Sequence, residues 1–255
     1  MASNADRPVL VLLHGLLGDA DDWQPVIRAL PDVECHPLDL PGHGRNRSLR
    51  VSGFDEAHHW LCDELAARGI RRYRLAGYSL GGRLALYHAS QSPAGLQALL
   101  LENCHPGLPA GERAARLAHD EAWARRFESE PLAEVLADWY QQGVFADLDD
   151  AARTRQAARR LGNDGRAVAA MLRATSLGRQ PSLAPWLGET GLPVCWVSGN
   201  RDHKFHGLAC QLVKQGCNIK HLALEGGHNL HAGQPDTFAR LLREWVNQPE
   251  EKIHD

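Results

Sequence analysis

A chain of 255 residues with 44% hydrophobic and 23% charged side chains has the composition of one packed globular core, which excludes a collagen-like repeat, a coiled coil and a wholly disordered chain. The formal net charge of −3 removes the broad positive field on which nucleic-acid affinity rests, so neither DNA nor RNA is an expected partner. No run approaches the roughly 18 to 20 apolar residues that span a bilayer, and no basic segment with a hydrophobic core opens the chain, so a cytoplasmic protein without membrane contact is expected.

Val9 to Leu13 is an uninterrupted apolar run that stops at Gly15, the pattern of a strand buried on both faces. Similar short runs recur at Val33 to Leu38, Tyr73 to Ala76, Leu96 to Leu101, Val194 to Val197 and Lys220 to Leu224. Amphipathic stretches of helix length separate several of them, among them Phe54 to Ala67, Leu80 to Ala89 and Asp236 to Val246. Strand and helix alternate, which predicts an α/β fold with a mainly parallel sheet whose ligand sites collect beyond the carboxyl ends of its strands.

The alternation breaks between His105 and Leu187, where Leu108 to Arg126 and Pro131 to Gln141 read as helices and no strand is evident. Residues 105–187 are therefore read as a helical insertion in a core made of 1–104 and 188–255. An extra helical layer would only enlarge the core; a cap would cover the sheet's active end, a common use of such insertions. Residues 1–7 are short and polar and are left out of the fold reading. Six cysteines (Cys35, Cys62, Cys104, Cys195, Cys210, Cys217) lack CxxC pairing in a chain long enough to fold without disulfides, and free thiols are expected.

Gly77-Tyr78-Ser79-Leu80-Gly81-Gly82 contains G-x-S-x-G between an expected strand and an expected helix, the context that a nucleophile elbow requires. A serine hydroxyl is a poor nucleophile or base near neutral pH unless an imidazole takes its proton and a carboxylate fixes that imidazole's tautomer. In chain order Asp202 and His228 follow the later strand runs and supply both groups, with Glu102 as the rival acid and His231 as the rival base. The backbone N–H groups of Leu80 and of Leu16, in His14-Gly15-Leu16-Leu17-Gly18, are the expected oxyanion donors, with His14 as a brace for that loop. His203/His206 and His228/His231 have i,i+3 spacing but no obvious third ligand, and no G-x-G-x-x-G follows a strand, so neither a metal nor a dinucleotide cofactor is expected.

The segments HGLLG, DLPGHG, GYSLGG, NRDHKF and GGHN together resemble the α/β-hydrolase superfamily across nearly the whole chain. ENCHPGL, ADWYQQGVFA, MLRATSLGRQPSL and the Arg83 that extends the elbow to GYSLGGR carry a narrower resemblance, to the 2-succinyl-6-hydroxy-2,4-cyclohexadiene-1-carboxylate synthases. The segment from Leu108 to Arg116 is about one residue shorter than that resemblance leads one to expect. The resemblance implies a small-molecule substrate with three carboxylates, 2-succinyl-5-enolpyruvyl-6-hydroxy-3-cyclohexene-1-carboxylate, from which a 2,5-elimination expels pyruvate in menaquinone biosynthesis. It further implies that Ser79, supported by His228 and Asp202, works as a base, with the oxyanion donors holding an enolate.

A polyanionic ligand demands cations. Of 28 basic residues only Lys204, Lys214, Lys220 and Lys252 are lysine, and every Lys-or-Arg position between His105 and Leu187 is Arg, whose rigid fork binds carboxylates bidentately. Most of these arginines fit solvated helix faces. The resemblance singles out Arg83, one helical turn past Ser79, and Arg116 and Arg160 in the cap as substrate-carboxylate contacts, with Trp139, Tyr140 and Tyr78 beside them. A carboxylesterase or thioesterase using the same triad covalently is the alternative reaction, and a non-catalytic binding protein a third reading. No sequence feature fixes an oligomeric state.

Overall fold

The computed structural model describes residues 7–248; the first six residues of the polar N-terminal stretch, and Lys252, lie outside the described residues. The first half of the chain lays down β1 (Val9–Leu13), α1 (Gln24–Arg28), β2 (Glu34–Leu38), α2 (Phe54–Ala67), β3 (Tyr73–Tyr78), α3 (Leu80–Ser90) and β4 (Leu96–Glu102). Five helices follow without a strand: α4 (Ala110–Ser129), α5 (Leu132–Trp139), α6 (Asp150–Arg159), α7 (Gly165–Ala174) and α8 (Ala184–Glu189). The chain then returns through β5 (Val194–Gly199), α9 (His203–Lys214), β6 (Lys220–Leu224), α10 (Leu230–Gly233) and α11 (Pro235–Val246).

The strands form one sheet in the order β2-β1-β3-β4-β5-β6, and every neighbouring pair is parallel. Side chains of a strand alternate between faces, and that alternation builds two cores. Leu10 and Leu12 join Val26 of α1 and Phe238, Leu242 and Trp245 of α11 on one face. Val11 and Leu13 join Leu61 of α2, Leu84 of α3 and Leu212 of α9 on the other. Each such side chain, removed from water, contributes about 1.5–3 kcal/mol.

The inserted helices carry a smaller core of their own. Here α4 packs along α7, and Phe127, Val135, Leu136, Val168 and Leu172 close over Leu17 from the loop after β1. That contact sets the insertion above the carboxyl end of the sheet. Within the same stretch α8 packs differently, because Leu183 and Leu187 join the sheet-face cluster with Leu99 and Trp196. The helix expected from Leu108 begins at Ala110 because Pro109 holds an extended cap (φ −55°, ψ 150°) and disfavours helical geometry at the residue before it. Among the described residues no helix is long and apolar enough to cross a membrane.

Candidate active site

Between β3 and α3 the backbone turns sharply enough to put Ser79 at φ 51° and ψ −110°, a left-handed conformation costing about 1–3 kcal/mol that surrounding bonds must hold. The Ser79 N–H donates to the Glu102 carbonyl at 2.9 Å, and the Ser79 carbonyl accepts the Arg83 N–H at 3.0 Å. Two glycines make the turn sterically possible. A Cβ at Gly77 would stand 2.5 Å from the Gly81 carbonyl oxygen, and one at Gly81 would stand 2.4 Å from the carbonyl oxygens of Leu13 and His14. The start of α3 thus lies directly against the end of β1, bringing the Leu80 and Leu16 loops together beside Ser79.

Asp202, just past β5, does two things with its carboxylate. One oxygen caps α9 by accepting the Phe205 N–H at 3.2 Å; the other accepts Nδ1–H of His228 at 2.5 Å. A carboxylate can only accept, so this bond fixes the tautomer and leaves His228 Nε2 as the acceptor for the Ser79 hydroxyl, 3.3 Å away. Both partners are buried, and the rings of Phe205 (4.7 Å) and Tyr78 (5.3 Å) flank the imidazole. The rival pair lies apart from this line: Glu102 accepts Nδ1–H of His231 at 2.7 Å, and both are buried.

Two further histidines shape the loop that carries Leu16. His14 donates from Nδ1 to the Gly15 carbonyl at 2.7 Å and accepts the Leu40 N–H on Nε2 at 3.0 Å. His43 donates to the Pro41 carbonyl at 3.0 Å and accepts the Leu17 N–H at 3.1 Å. An imidazole that both donates and accepts is neutral. Burial, and after it the neighbouring His14, accordingly pushes the His43 pKa down to about 3, while burial also lowers that of His14. His14 occupies the bracing position expected for it.

Ser79 and His228 open onto a cavity of about 660 Å³ whose walls include Leu16, Tyr78, Trp139, Phe145, Arg116 and Lys204. A smaller compartment of about 190 Å³ shares Leu16, Tyr78, Trp139, Phe145 and His228, and adds Tyr140, Arg160 and Asp22. Tyr78 forms part of the partition; its hydroxyl titrates well above the usual value because of burial and then the Glu102 carboxylate.

The three expected arginines have different fates. Arg116, half-buried, lines the large compartment and pairs with Asp120 at 2.7 Å. Arg160 lines the small one, already engaged with buried Asp22 at 2.8 Å. Burial disfavours the Arg160 charge, but Asp22 and then Tyr140 more than offset this and hold the guanidinium above its ordinary pKa. Arg83 is among the wall residues of neither compartment. Its Nε donates to Gln180 at 2.7 Å, its head group also bonds the Thr175 carbonyl, and its guanidinium lies 5.4 Å from the Phe54 ring. Burial and then Arg116 lower its pKa to about 9, more than Asp120 opposes. The resemblance implies a substrate contact for Arg83; in the structure its side chain ties α3 to the segment after α7.

Lys204 was missed as a site residue. It sits in the first turn of α9, two residues past Asp202, with its ammonium 5.5 Å from the Phe205 ring, and desolvation followed by Arg116 lowers its pKa. The available signal was its position in NRDHKF, beside the expected acid. Asp22 was also missed, since no local pattern announces that a capping residue faces Arg160. Outside the site, His58, Cys62 and His88 bring soft donor atoms within 4.8 Å of one another. They are linked as a hydrogen-bonded chain: Tyr73 to His88 Nε2 at 2.7 Å, His88 Nδ1 to His58 Nδ1 at 2.9 Å, and His58 Nε2 to Cys62 Sγ at 3.7 Å. The i,i+3 histidine pairs go separate ways, His228 to Asp202, His231 to Glu102, and His206 to Ser198 at 3.0 Å.

Comparison with known proteins places this geometry in context. The model of the alpha/beta hydrolase family matches residues 10–241. The 2-succinyl-6-hydroxy-2,4-cyclohexadiene-1-carboxylate synthase of Pectobacterium atrosepticum is 46% identical over 245 residues, covering 95% of each chain. The Yersinia enterocolitica protein of the same name is 48% identical over 243 residues, covering 94% of this chain and 87% of its own. Among solved structures, MenH from S. aureus superposes with a TM-score of 0.87 at 27% identity over 96% of both chains. An esterase from Thermogutta terrifontis, at 17% identity and a TM-score of 0.78, shares the fold.

Proposed function

The chain belongs to the alpha/beta hydrolase family and, within it, to the 2-succinyl-6-hydroxy-2,4-cyclohexadiene-1-carboxylate synthases, and on that premise we propose that Ser79, His228 and Asp202 carry out the pyruvate-eliminating lyase reaction of this family. The observation that carries the residue assignment is the relay of 3.3 Å and 2.5 Å contacts from Ser79 through His228 to Asp202, opening on a cavity whose wall holds Arg116 and Lys204.

In the first step the Ser79 oxygen takes the acidic proton from the ring carbon beside the succinyl carbonyl as its own proton passes to His228 Nε2. The electron pair released enters the carbonyl as an enolate, held by the N–H groups of Leu16 and Leu80, the second of which opens the positive end of α3. Collapse of the enolate forms the new ring double bond, shifts the existing one and breaks the ring carbon–oxygen bond. The departing oxygen takes the proton from His228, restoring a neutral imidazole, and the enol so released tautomerises to pyruvate, its hydroxyl proton being replaced by one on the methylene carbon. Asp202 remains ionised throughout and stabilises the imidazolium that forms between the steps. No acyl-enzyme is required, because the two N–H donors that would hold a tetrahedral oxyanion hold an enolate oxygen equally well.

Substrate carboxylates suit Arg116 and Lys204, which face the larger compartment, and Arg160 is assigned the smaller one with Tyr140 and Trp139 as walls. A simple esterase pocket would be mostly apolar. The test couples pyruvate release from the succinylated substrate to lactate dehydrogenase and runs p-nitrophenyl acetate hydrolysis in parallel. Pyruvate release that falls by about 10²–10⁴-fold in Ser79→Ala is expected; rapid ester turnover without pyruvate would reassign the site to acyl transfer.

A further inference from the structure

The two residues at the carboxyl end of β4 touch every loop that the relay depends on. Since β4 lies between β3 and β5 in the sheet, its end is flanked by the turn of Ser79 and the loop of Asp202. The Glu102 carbonyl accepts the Ser79 N–H at 2.9 Å. Its carboxylate turns the other way: Oε1 accepts the N–H groups of Leu230 at 2.7 Å and His231 at 3.2 Å, and Oε2 accepts Nδ1–H of His231 at 2.7 Å. Asn103 continues the pattern with a left-handed φ of 42°. Its N–H donates to the Val197 carbonyl at 3.0 Å and its Oδ1 accepts the Gly199 N–H at 3.2 Å. Its Nδ2 donates to the carbonyls of Gly227 at 3.2 Å and His228 at 2.7 Å.

His228 is therefore bracketed. Asn103 holds the carbonyls at and before it, and Glu102 holds the N–H groups two and three residues after it. Both side chains are fully buried, where bonds to a charged or fixed polar group are strong and a lost partner is costly. His231 completes the support: its ring stacks on Trp23 with centroids 4.0 Å apart, and neither His231 nor Glu102 is among the residues lining the two compartments. A second acid–base pair would need access to the reacting atoms, which this placement denies.

We infer that Glu102 and Asn103 are positioning residues that hold His228 in register with Ser79, acting through the backbone of the histidine loop. The inference rests on Ser79, His228 and Asp202 being the catalytic relay. Phenylmethylsulfonyl fluoride, which labels an activated serine and carries no carboxylate, separates the two ideas when its rate of attachment to Ser79 is followed by mass spectrometry beside kcat and KM for pyruvate release.

Wild-type enzyme is expected to be labelled at Ser79. In Glu102→Ala and Asn103→Asp, labelling rate and kcat are expected to fall together by about 10²-fold, the cost of a roughly 1 Å misplacement, with KM inside about twofold. Glu102→Gln keeps an amide oxygen for the Leu230 and His231 N–H groups and is expected to restore both rates to within about fivefold of wild type. The inference is overturned by wild-type labelling and kcat in both disruptive variants, by a change confined to KM, or by a Glu102→Gln enzyme as impaired as Glu102→Ala. Should Glu102→Ala fail to fold, the near-isosteric Asn103→Asp decides alone. A wild-type enzyme that is not labelled at Ser79 would overturn the relay itself, and the clamp with it.

Discussion

Arg160 and Asp22 lie 2.8 Å apart across the join between the helical insertion and the loop after β1, both buried. The guanidinium that faces the smaller compartment is thus half of an internal ion pair, and removing its partner leaves an uncompensated charge. Asp22→Asn is expected to lower unfolding stability by about 3 kcal/mol at pH 7, measured by urea denaturation. Burial alone would raise the Asp22 pKa, but Arg160 outweighs it and the folded-state value is lowered. A carboxylate depressed in this way stabilises the fold above its unfolded pKa of about 3.9, and the contribution is lost as pH falls through the folded value. The gap between wild type and Asp22→Asn should therefore close below about pH 4; a gap that persists there would remove the ion pair as its cause.

In the proposed relay Ser79 and His228 act on one proton, so their contributions should not add. Ser79→Ala and His228→Ala are each expected to reduce kcat by about 10²–10⁴-fold, the range for a positioned acid–base group. The double variant should be no slower than the worse single one, because a relay with either member missing has already failed. Multiplicative losses in pyruvate release would mean that the two side chains work independently.

The cations separate by what they touch. Arg116 and Lys204 face the compartment that holds Ser79, so Arg116→Ala and Lys204→Ala are each expected to raise KM by about 10-fold, the loss of roughly 1.4 kcal/mol of a charge-assisted contact. Their effect should shrink as salt rises and screens the field. Arg83→Ala removes the bonds to Gln180 and the Thr175 carbonyl instead, and is expected to cost about 2 kcal/mol of stability while leaving KM near wild type. A KM rise in Arg83→Ala with unchanged stability would return that residue to the substrate.

This division marks where sequence stops being informative. The alternation of apolar strand runs with amphipathic helices is a local signal, and it located all the strands of the sheet and the turn at Ser79 because each depends on neighbours a few residues away. Asp202 and His228, which the structure places in line with Ser79, were reachable through chain order. Helical spacing, however, states only that Arg83 shares a side of α3 with Ser79; whether a long side chain then reaches the ligand or Gln180, 97 residues later, is decided by a tertiary contact without a local trace. Asp22 and Asn103 escaped for the same reason: their partners, Arg160 and the His228 loop, lie more than a hundred residues away in the chain. Lys204 was visible as a residue but not as a wall of the cavity.

The buried, neutral His43 beside the loop that carries Leu16 is expected to set an acid limit on stability. The folded-state pKa of His43, about 3, lies below the unfolded value of about 6.5. The unfolded chain therefore takes up a proton that the folded one refuses as pH drops below about 6.5, so the stabilising contribution is complete above that pH and declines steadily down to about 3. At pH 5 the loss from this one side chain is about 2 kcal/mol. His43→Gln keeps an acceptor for the Leu17 N–H but cannot be protonated. Urea denaturation of wild type and variant at pH 7 and pH 5 should show a smaller pH 7-to-5 decline in the variant, by about 2 kcal/mol. Because the Leu17 N–H is the anchor of the loop that presents Leu16, activity in His43→Gln should likewise persist to lower pH if loop collapse limits the wild type. Equal declines in both proteins would show that His43 is protonated in the folded state and that another group sets the acid limit.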